Sequence, residues 1–227
     1  MLFRLKRMRQ HTQIGFGDGL PGISPSCAQI RTMSGILLIF IRNPELGKVK
    51  TRLARTVGDE EALRIYRILL EKTRTAALGV VAQRWLCYSD FVTAHDEWAE
   101  ADFHKMVQHP GNLGERMEAS FQAAFTAGAT KTLIIGSDCP ALSGTVLQQA
   151  FEALDTTDFV LGPVPDGGYY LLGMRALEPS VFHGIEWSTD TVRARTLEKI
   201  AEAGMTCSLL PMLADVDTEE DWLASFE

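Results

Sequence analysis

Residues 36–41 read ILLIFI, an unbroken apolar and β-prone run, and no feature of the chain restricts its fold more. A strand with one wet face alternates apolar and polar side chains. A strand that is apolar at every position needs cover on both faces, which is the situation of a parallel sheet with helices on either side. Residues 59–78 supply such cover: Ala62, Ile65, Tyr66, Leu69, Leu70 and Thr73 recur at helical spacing, with acids first and bases later as the helix dipole prefers. The pattern then repeats. Strands are predicted over 84–89, 105–109, 131–137, 158–162, 169–174 and 206–210, and helices over 113–127, 143–154, 189–203 and 218–226, with a short helical piece near 94–101. Strands alternating with helices imply an α/β fold: a three-layer α/β/α sandwich around a mainly parallel sheet, with ligands bound beyond the carboxyl ends of the strands.

At 227 residues with 46% hydrophobic content the chain can bury one substantial core. The expected division is a single domain over 34–227. Residues 1–33 hold five basic side chains and one acid, are rich in Gly and Pro, and show no apolar period, so they read as a disordered arm or as a start placed too early. The formal net charge of −7 argues against sequence-blind binding of nucleic acid. No stretch reaches the roughly 18 to 20 apolar residues of a membrane span. Cys27, Cys87, Cys139 and Cys207 are scattered, without metal-ligand or disulfide spacing, which fits a reducing cytoplasm. Whether the chain forms a homo-oligomer stays open.

Four segments at strand ends carry the chemistry. After the first strand, residues 42–53 hold Arg42, Lys48, Lys50 and Arg52 around Gly47 and lead towards a helix. Such a loop can cradle phosphate through its cations and exposed N–H groups, although it lacks the ending of a Walker loop and also fits a solvated basic loop. The strand at 131–137 runs into Gly136, Ser137, Asp138, Cys139 and Pro140. A carboxylate there can bind Mg²⁺ or Mn²⁺, which accept a few protein oxygens and fill their other positions with water and phosphate; a turn or N-cap aspartate is the competing reading. In residues 162–170 a lone acid, Asp166, precedes Gly167, Gly168 and Tyr169. This is either a hairpin turn or an acceptor ligand and general base with glycines that let a ligand approach the backbone. Asp215 and Asp217 precede the last helix, where either could supply a second metal carboxylate or cap the helix.

Together these segments resemble a glycosyltransferase-like family, of radical-SAM-associated or arsenosugar type, within the GT-A nucleotide-diphospho-sugar transferase superfamily. The resemblance spans residue 35 onwards and rests on six ordered motifs: PELGKVKTRL at 44–53, NLGERM at 112–117, IGSDCP at 135–140, GPVPDGGYY at 162–170, WST at 187–189 and DVDT at 215–218. It implies a Rossmann-like nucleotide-binding sheet in which Asp138 and Asp217 hold Mg²⁺ or Mn²⁺ on the diphosphate of a donor. On this reading Arg42, Lys50, Arg52, Arg116, Gly136 and Ser137 face the nucleotide, Gly167, Gly168, Tyr169 and Trp187 face the substrate, and Asp166 orients or deprotonates a small acceptor. Sugar transfer from a nucleoside diphosphate sugar is the leading expectation. The rivals are nucleotidyl transfer with release of pyrophosphate and a nucleotide-binding protein without turnover.

Overall fold

The structure, a computed structural model, describes residues 35–226; the extension expected over 1–33 and the domain start expected at 34 lie outside them. Seven strands, β1 (Gly35–Ile41), β2 (Gln83–Tyr88), β3 (His104–Val107), β4 (Lys131–Ile135), β5 (Phe159–Pro163), β6 (Tyr169–Met174) and β7 (Cys207–Leu209), form one sheet in the order β3-β2-β1-β4-β6-β5-β7. Only β6 runs against the rest, pairing antiparallel with β4 and β5, while the β1–β2, β1–β4, β2–β3 and β5–β7 pairs are parallel. The helices are α1 (Thr51–Val57), α2 (Asp59–Leu78), α3 (Leu113–Thr126), α4 (Gly144–Ala153), α5 (Val192–Glu202) and α6 (Glu219–Ala224), with a 3-10 turn over Pro179–Phe182.

The apolar run of β1 is explained by two separate cores. Leu37, Ile39 and Ile41 point to one face, where they join Tyr66 and Leu70 of α2 and Leu147, Ala150 and Phe151 of α4. Ile36 and Leu38 point to the other, where they join Met117, Phe121 and Ala124 of α3 and Ile200 of α5. Each such Leu or Ile gains about 1.5–3 kcal/mol from full burial, so neither face tolerates a polar residue cheaply. A third, smaller cluster ties α1, α2 and α6 together through Leu53, Ile65, Leu69, Val216 and Trp222. That cluster matters for function, because it carries the segment before α6 across to the loop after β1.

The expected three-layer sandwich is therefore the observed one, and α2 and β6 keep their expected bounds. The short helix expected at 94–101 does not form; the segment consists of bends and turns. It is organised instead around the Asp96 carboxylate, which accepts the Trp98 N–H (3.0 Å), the Lys105 ammonium (2.7 Å) and the Tyr88 hydroxyl. Trp98 then stacks edge-on against Phe103, ring centroids 4.9 Å apart. Helix α5 starts at Val192 rather than 189, because Ser188 adopts a left-handed conformation (φ 68°) and the Thr189 hydroxyl bonds back to the Glu186 carbonyl. The turn of helix α1, directly after the basic loop, is shorter than the long periodic segments that the apolar pattern reveals.

Burial by itself would raise the Asp96 pKa, but hydrogen bonds from Lys105, Tyr88 and Trp98 outweigh it and hold the carboxyl below its ordinary value. A group depressed in the folded state adds stability above the ordinary carboxylate range and loses it as the pH falls through the folded-state pKa. Asp96→Ala removes the counter-charge of Lys105, whose side chain is 7% exposed. It should cost about 3 kcal/mol in urea unfolding at neutral pH, and the gap between variant and wild type should narrow as the pH is lowered below the carboxylate range.

Candidate active site

Two acidic loops and one basic loop meet at a single ammonium group. Lys50 is the N-cap residue of α1 and lies in the left-handed region (φ 48°, ψ 45°), which side-chain-bearing residues seldom occupy. Its side chain is 6% exposed, and Nζ stands 2.8 Å from Asp138 Oδ1, 3.4 Å from Asp217 Oδ1 and 2.6 Å from the Val216 carbonyl oxygen. Two of its three N–H donors are taken up by the Val216 carbonyl and Asp217, and the Asp138 carboxylate is held as an ion pair. Arg52, the second residue of α1 and largely exposed, reaches the other oxygen of Asp217 at 3.0 Å. The acidic loops are also joined directly, since the Val216 N–H donates to the Asp138 carbonyl at 2.9 Å.

The end of β4 places these groups. Its buried residues stop at Ile135; Gly136 is exposed, and a Cβ added to it would meet nothing within 4 Å, so this backbone faces open space. Ser137 is buried and shares a hydrogen bond with the Tyr66 hydroxyl at 3.3 Å. The same hydroxyl accepts the Arg42 N–H (2.9 Å) and donates to the Arg42 carbonyl (3.2 Å). Tyr66 thus clamps the loop after β1 to the loop after β4, a site contact that its place in the apolar period of α2 did not disclose. Burial pushes its phenol up to about 12, with the nearby Asp138 charge acting the same way, so it stays protonated and keeps its donor. Cys139 beside Asp138 is buried and its thiol is pushed up to about 11 by that burial, which fits a packing role rather than a nucleophile.

The Asp166 turn joins the same region. Asp166 is exposed, and its Oδ1 accepts the Gly168 N–H at 2.9 Å, so the carboxylate also shapes its own turn. The Gly167 carbonyl accepts the Arg193 N–H at the start of α5, and the Arg193 guanidinium donates to the Val164 carbonyl. Asp215, half-buried, reports how close the acids stand. Its pKa is raised first by burial and then by the charges of Asp166, Asp217 and Asp138, against the lowering effect of its own backbone N–H. Asp215 is therefore within electrostatic reach of three other carboxylates, on its own loop and two others.

Other expected site residues lie further from this centre. The Arg42 side chain is exposed, and its main chain is what Tyr66 holds. Arg116 donates from Nε to the Gly111 carbonyl at 2.8 Å, just inside the capping box that Asn112 and Glu115 form at the start of α3. The Trp187 indole lies against Gly114, where a Cβ would come within 2.5 Å of its ring nitrogen. Tyr169, like Trp187, packs against the core cluster on the α3 side of the sheet, and its hydroxyl is enclosed without a hydrogen bond. Tyr169 therefore offers its ring rather than its hydroxyl, and Trp187 stands at the start of α3 near the Arg116 turn. Among the described residues no three His, Cys, Asp or Glu side chains are arranged as a metal ligand set by themselves.

The profile of a family described as "Uncharacterized protein conserved in bacteria (DUF2064)" matches residues 72–189, just over half of the chain. The chain belongs to the DUF2064 family. In keeping with the six motifs, this DUF2064 protein is 34% identical to a Desulfovibrio desulfuricans G20 protein of known structure, provisionally named a nucleotide-diphospho-sugar transferase. The match covers 82% of this chain and 83% of that one, with a TM-score of 0.76. The 4-diphosphocytidyl-2C-methyl-D-erythritol synthase of Anaerococcus prevotii DSM 20548 shares the fold at 11% identity and a TM-score of 0.55, over 84% of this chain and 95% of its own. No curated protein matches the chain. No described helix of this DUF2064 member is long and apolar enough to cross a membrane.

Gly167 tests how tightly the Asp166 turn is built. Its φ is +91°, and a Cβ there would stand 1.9 Å from the Asp190 carbonyl oxygen. Gly167→Ala should destabilise the protein by about 1–3 kcal/mol, read as a lower thermal midpoint. Gly168→Ala, whose Cβ would meet nothing nearer than 3.2 Å, should cost less.

Proposed function

We propose that this protein is a metal-dependent transferase acting on a nucleotide donor, and that it moves a sugar from a nucleoside diphosphate sugar to a small acceptor. The observation that carries this reading is the convergence of Asp138, Asp217 and the basic loop on Lys50 at the carboxyl edge of the sheet. Ligands of open α/β sheets bind at that edge. The family's relative in Desulfovibrio, named for the same class of donor, supports it.

Charge balance supports the metal. Asp138 and Asp217 pair with Lys50 and Arg52, and Asp166 and Asp215 add further negative charge nearby, so the cluster is anionic and would repel an unaccompanied diphosphate. The donor set fits a hard cation: two half-exposed carboxylates, at 47% and 38% exposure, that meet at one positive charge. Mg²⁺ or Mn²⁺ characteristically takes one or two carboxylates and completes its shell with water and phosphate oxygens. Asp138 and Asp217 would hold it, and when bound it supplies charge neutralisation on the diphosphate and its leaving group.

The remaining roles fall on this chain's own groups. Exposed Arg52 and Arg42 offset residual phosphate charge at the rim, and the Gly136 backbone with Ser137 borders the space above β4. Asp166 orients the acceptor hydroxyl or takes its proton, and the Gly167 and Gly168 backbone lets the substrate approach closely. Trp187, stacked on Gly114, and the Tyr169 ring line the acceptor side.

Incubation with Mg²⁺ or Mn²⁺ and panels of nucleotide sugars and nucleoside triphosphates tests this reading. Release of a nucleoside diphosphate is expected, with Asp138→Ala lowering the rate by about a hundredfold or more and Asp166→Asn lowering kcat by about 10²–10⁴. Pyrophosphate as the sole product, still dependent on Asp138, would replace sugar transfer by nucleotidyl transfer. Nucleotide binding without turnover on any donor would replace both by a binding protein.

A further inference from the structure

Lys50 is placed unlike a free phosphate-binding lysine. Its side chain is 6% exposed, whereas Arg52, two residues on, is 69% exposed; its ammonium donates to Asp217 and the Val216 carbonyl and forms a 2.8 Å ion pair with Asp138. With so little of it exposed, the ammonium can meet a phosphate oxygen only by loosening one of those contacts. We infer that the Lys50 ammonium is the resident counter-ion of the two carboxylates, and that a divalent cation gains them by competing with it. This rests on the metal reading above.

The physical case runs in three steps. Two acidic loops are held together by the Val216 to Asp138 main-chain bond, which brings Asp138 and Asp217 to one point. Like charges at such a point repel, and a buried ammonium between them removes that cost before any ligand arrives. The carboxylates stay about half exposed on their other side, so a hydrated cation reaches them from solvent. The ammonium and a divalent ion then share the same two carboxylates within a few ångströms, and their mutual repulsion weakens metal binding relative to a site without the lysine. Once a cation neutralises the carboxylates, the Lys50 N–H groups become available to the donor diphosphate. Lys50 therefore has two stations, counter-ion without the cation and phosphate ligand with it, and the cation must bind before or together with the nucleotide.

The test is Mn²⁺ binding to the full chain without nucleotide, followed by the electron paramagnetic resonance of free Mn²⁺, in wild type, Lys50→Met and Lys50→Gln, each checked by circular dichroism. Both variants should bind Mn²⁺ at least about tenfold more tightly than wild type. In wild-type protein, which needs no variant to fold, saturating Mn²⁺ should increase acetylation of Lys50 by acetic anhydride, read by peptide mass spectrometry. Equal or weaker Mn²⁺ binding in folded Lys50 variants, or acetylation of Lys50 unchanged by Mn²⁺, overturns the inference while leaving the metal reading standing. Absence of Mn²⁺ binding from wild type and variants alike overturns both.

Discussion

A sheet covered on both faces leaves polar chemistry only one place to go. Every residue of β1 except Phe40 is buried, and β4, β5 and β6 are nearly as dry. An unpaired charge within those strands would cost several kcal/mol, so charged groups collect where strands end and loops begin. Lys50, Asp138, Asp166 and Asp217 all stand in the segments that follow β1, β4, β5 and β7. The site is thus a consequence of the same burial that stabilises the fold.

That placement creates an electrostatic problem, which the structure resolves with one lysine. Asp138 and Asp217, brought to one point from two loops, would repel each other, with Asp215 and Asp166 adding to the negative charge. The Lys50 ammonium, seated in the left-handed turn before α1, is shared by two of them, and Arg52 lies on the outer oxygen of Asp217. The packing of α1 on α2 and α6 through Leu53, Ile65, Val216 and Trp222 holds that lysine and the Val216 carbonyl in register. Apolar contacts outside the site therefore fix a charge network inside it.

How much of this was legible from the sequence follows from the range of each interaction. The ILLIFI run, the 20-residue period of α2 and the Asp-Gly-Gly hairpin between β5 and β6 are local patterns, and each appears where the sequence places it. The 94–101 segment failed because its geometry is set by a buried carboxylate bonding to Tyr88 and Lys105, partners on two strands that no helical period encodes. The meeting of Lys50 with Asp217 joins positions 167 residues apart, so the sequence could offer both as candidates but not their contact. Tyr66 was hidden for a different reason. Its ring satisfies the apolar period of α2, and only its hydroxyl, bound to Arg42 and Ser137, belongs to the site.

On the proposed function, the same geometry bears on why a metal and a lysine would both serve beside one diphosphate. A cluster of carboxylates alone would bind a cation tightly but repel the nucleotide; a cluster of lysines alone would hold phosphate without polarising it. The ammonium between Asp138 and Asp217 already pairs these two carboxylates and leaves part of each exposed to solvent. On the proposed reading, an incoming cation and diphosphate would exchange that pairing for another. The charged groups would then rearrange only at the ammonium, with the strand ends and the Asp166 turn kept in place.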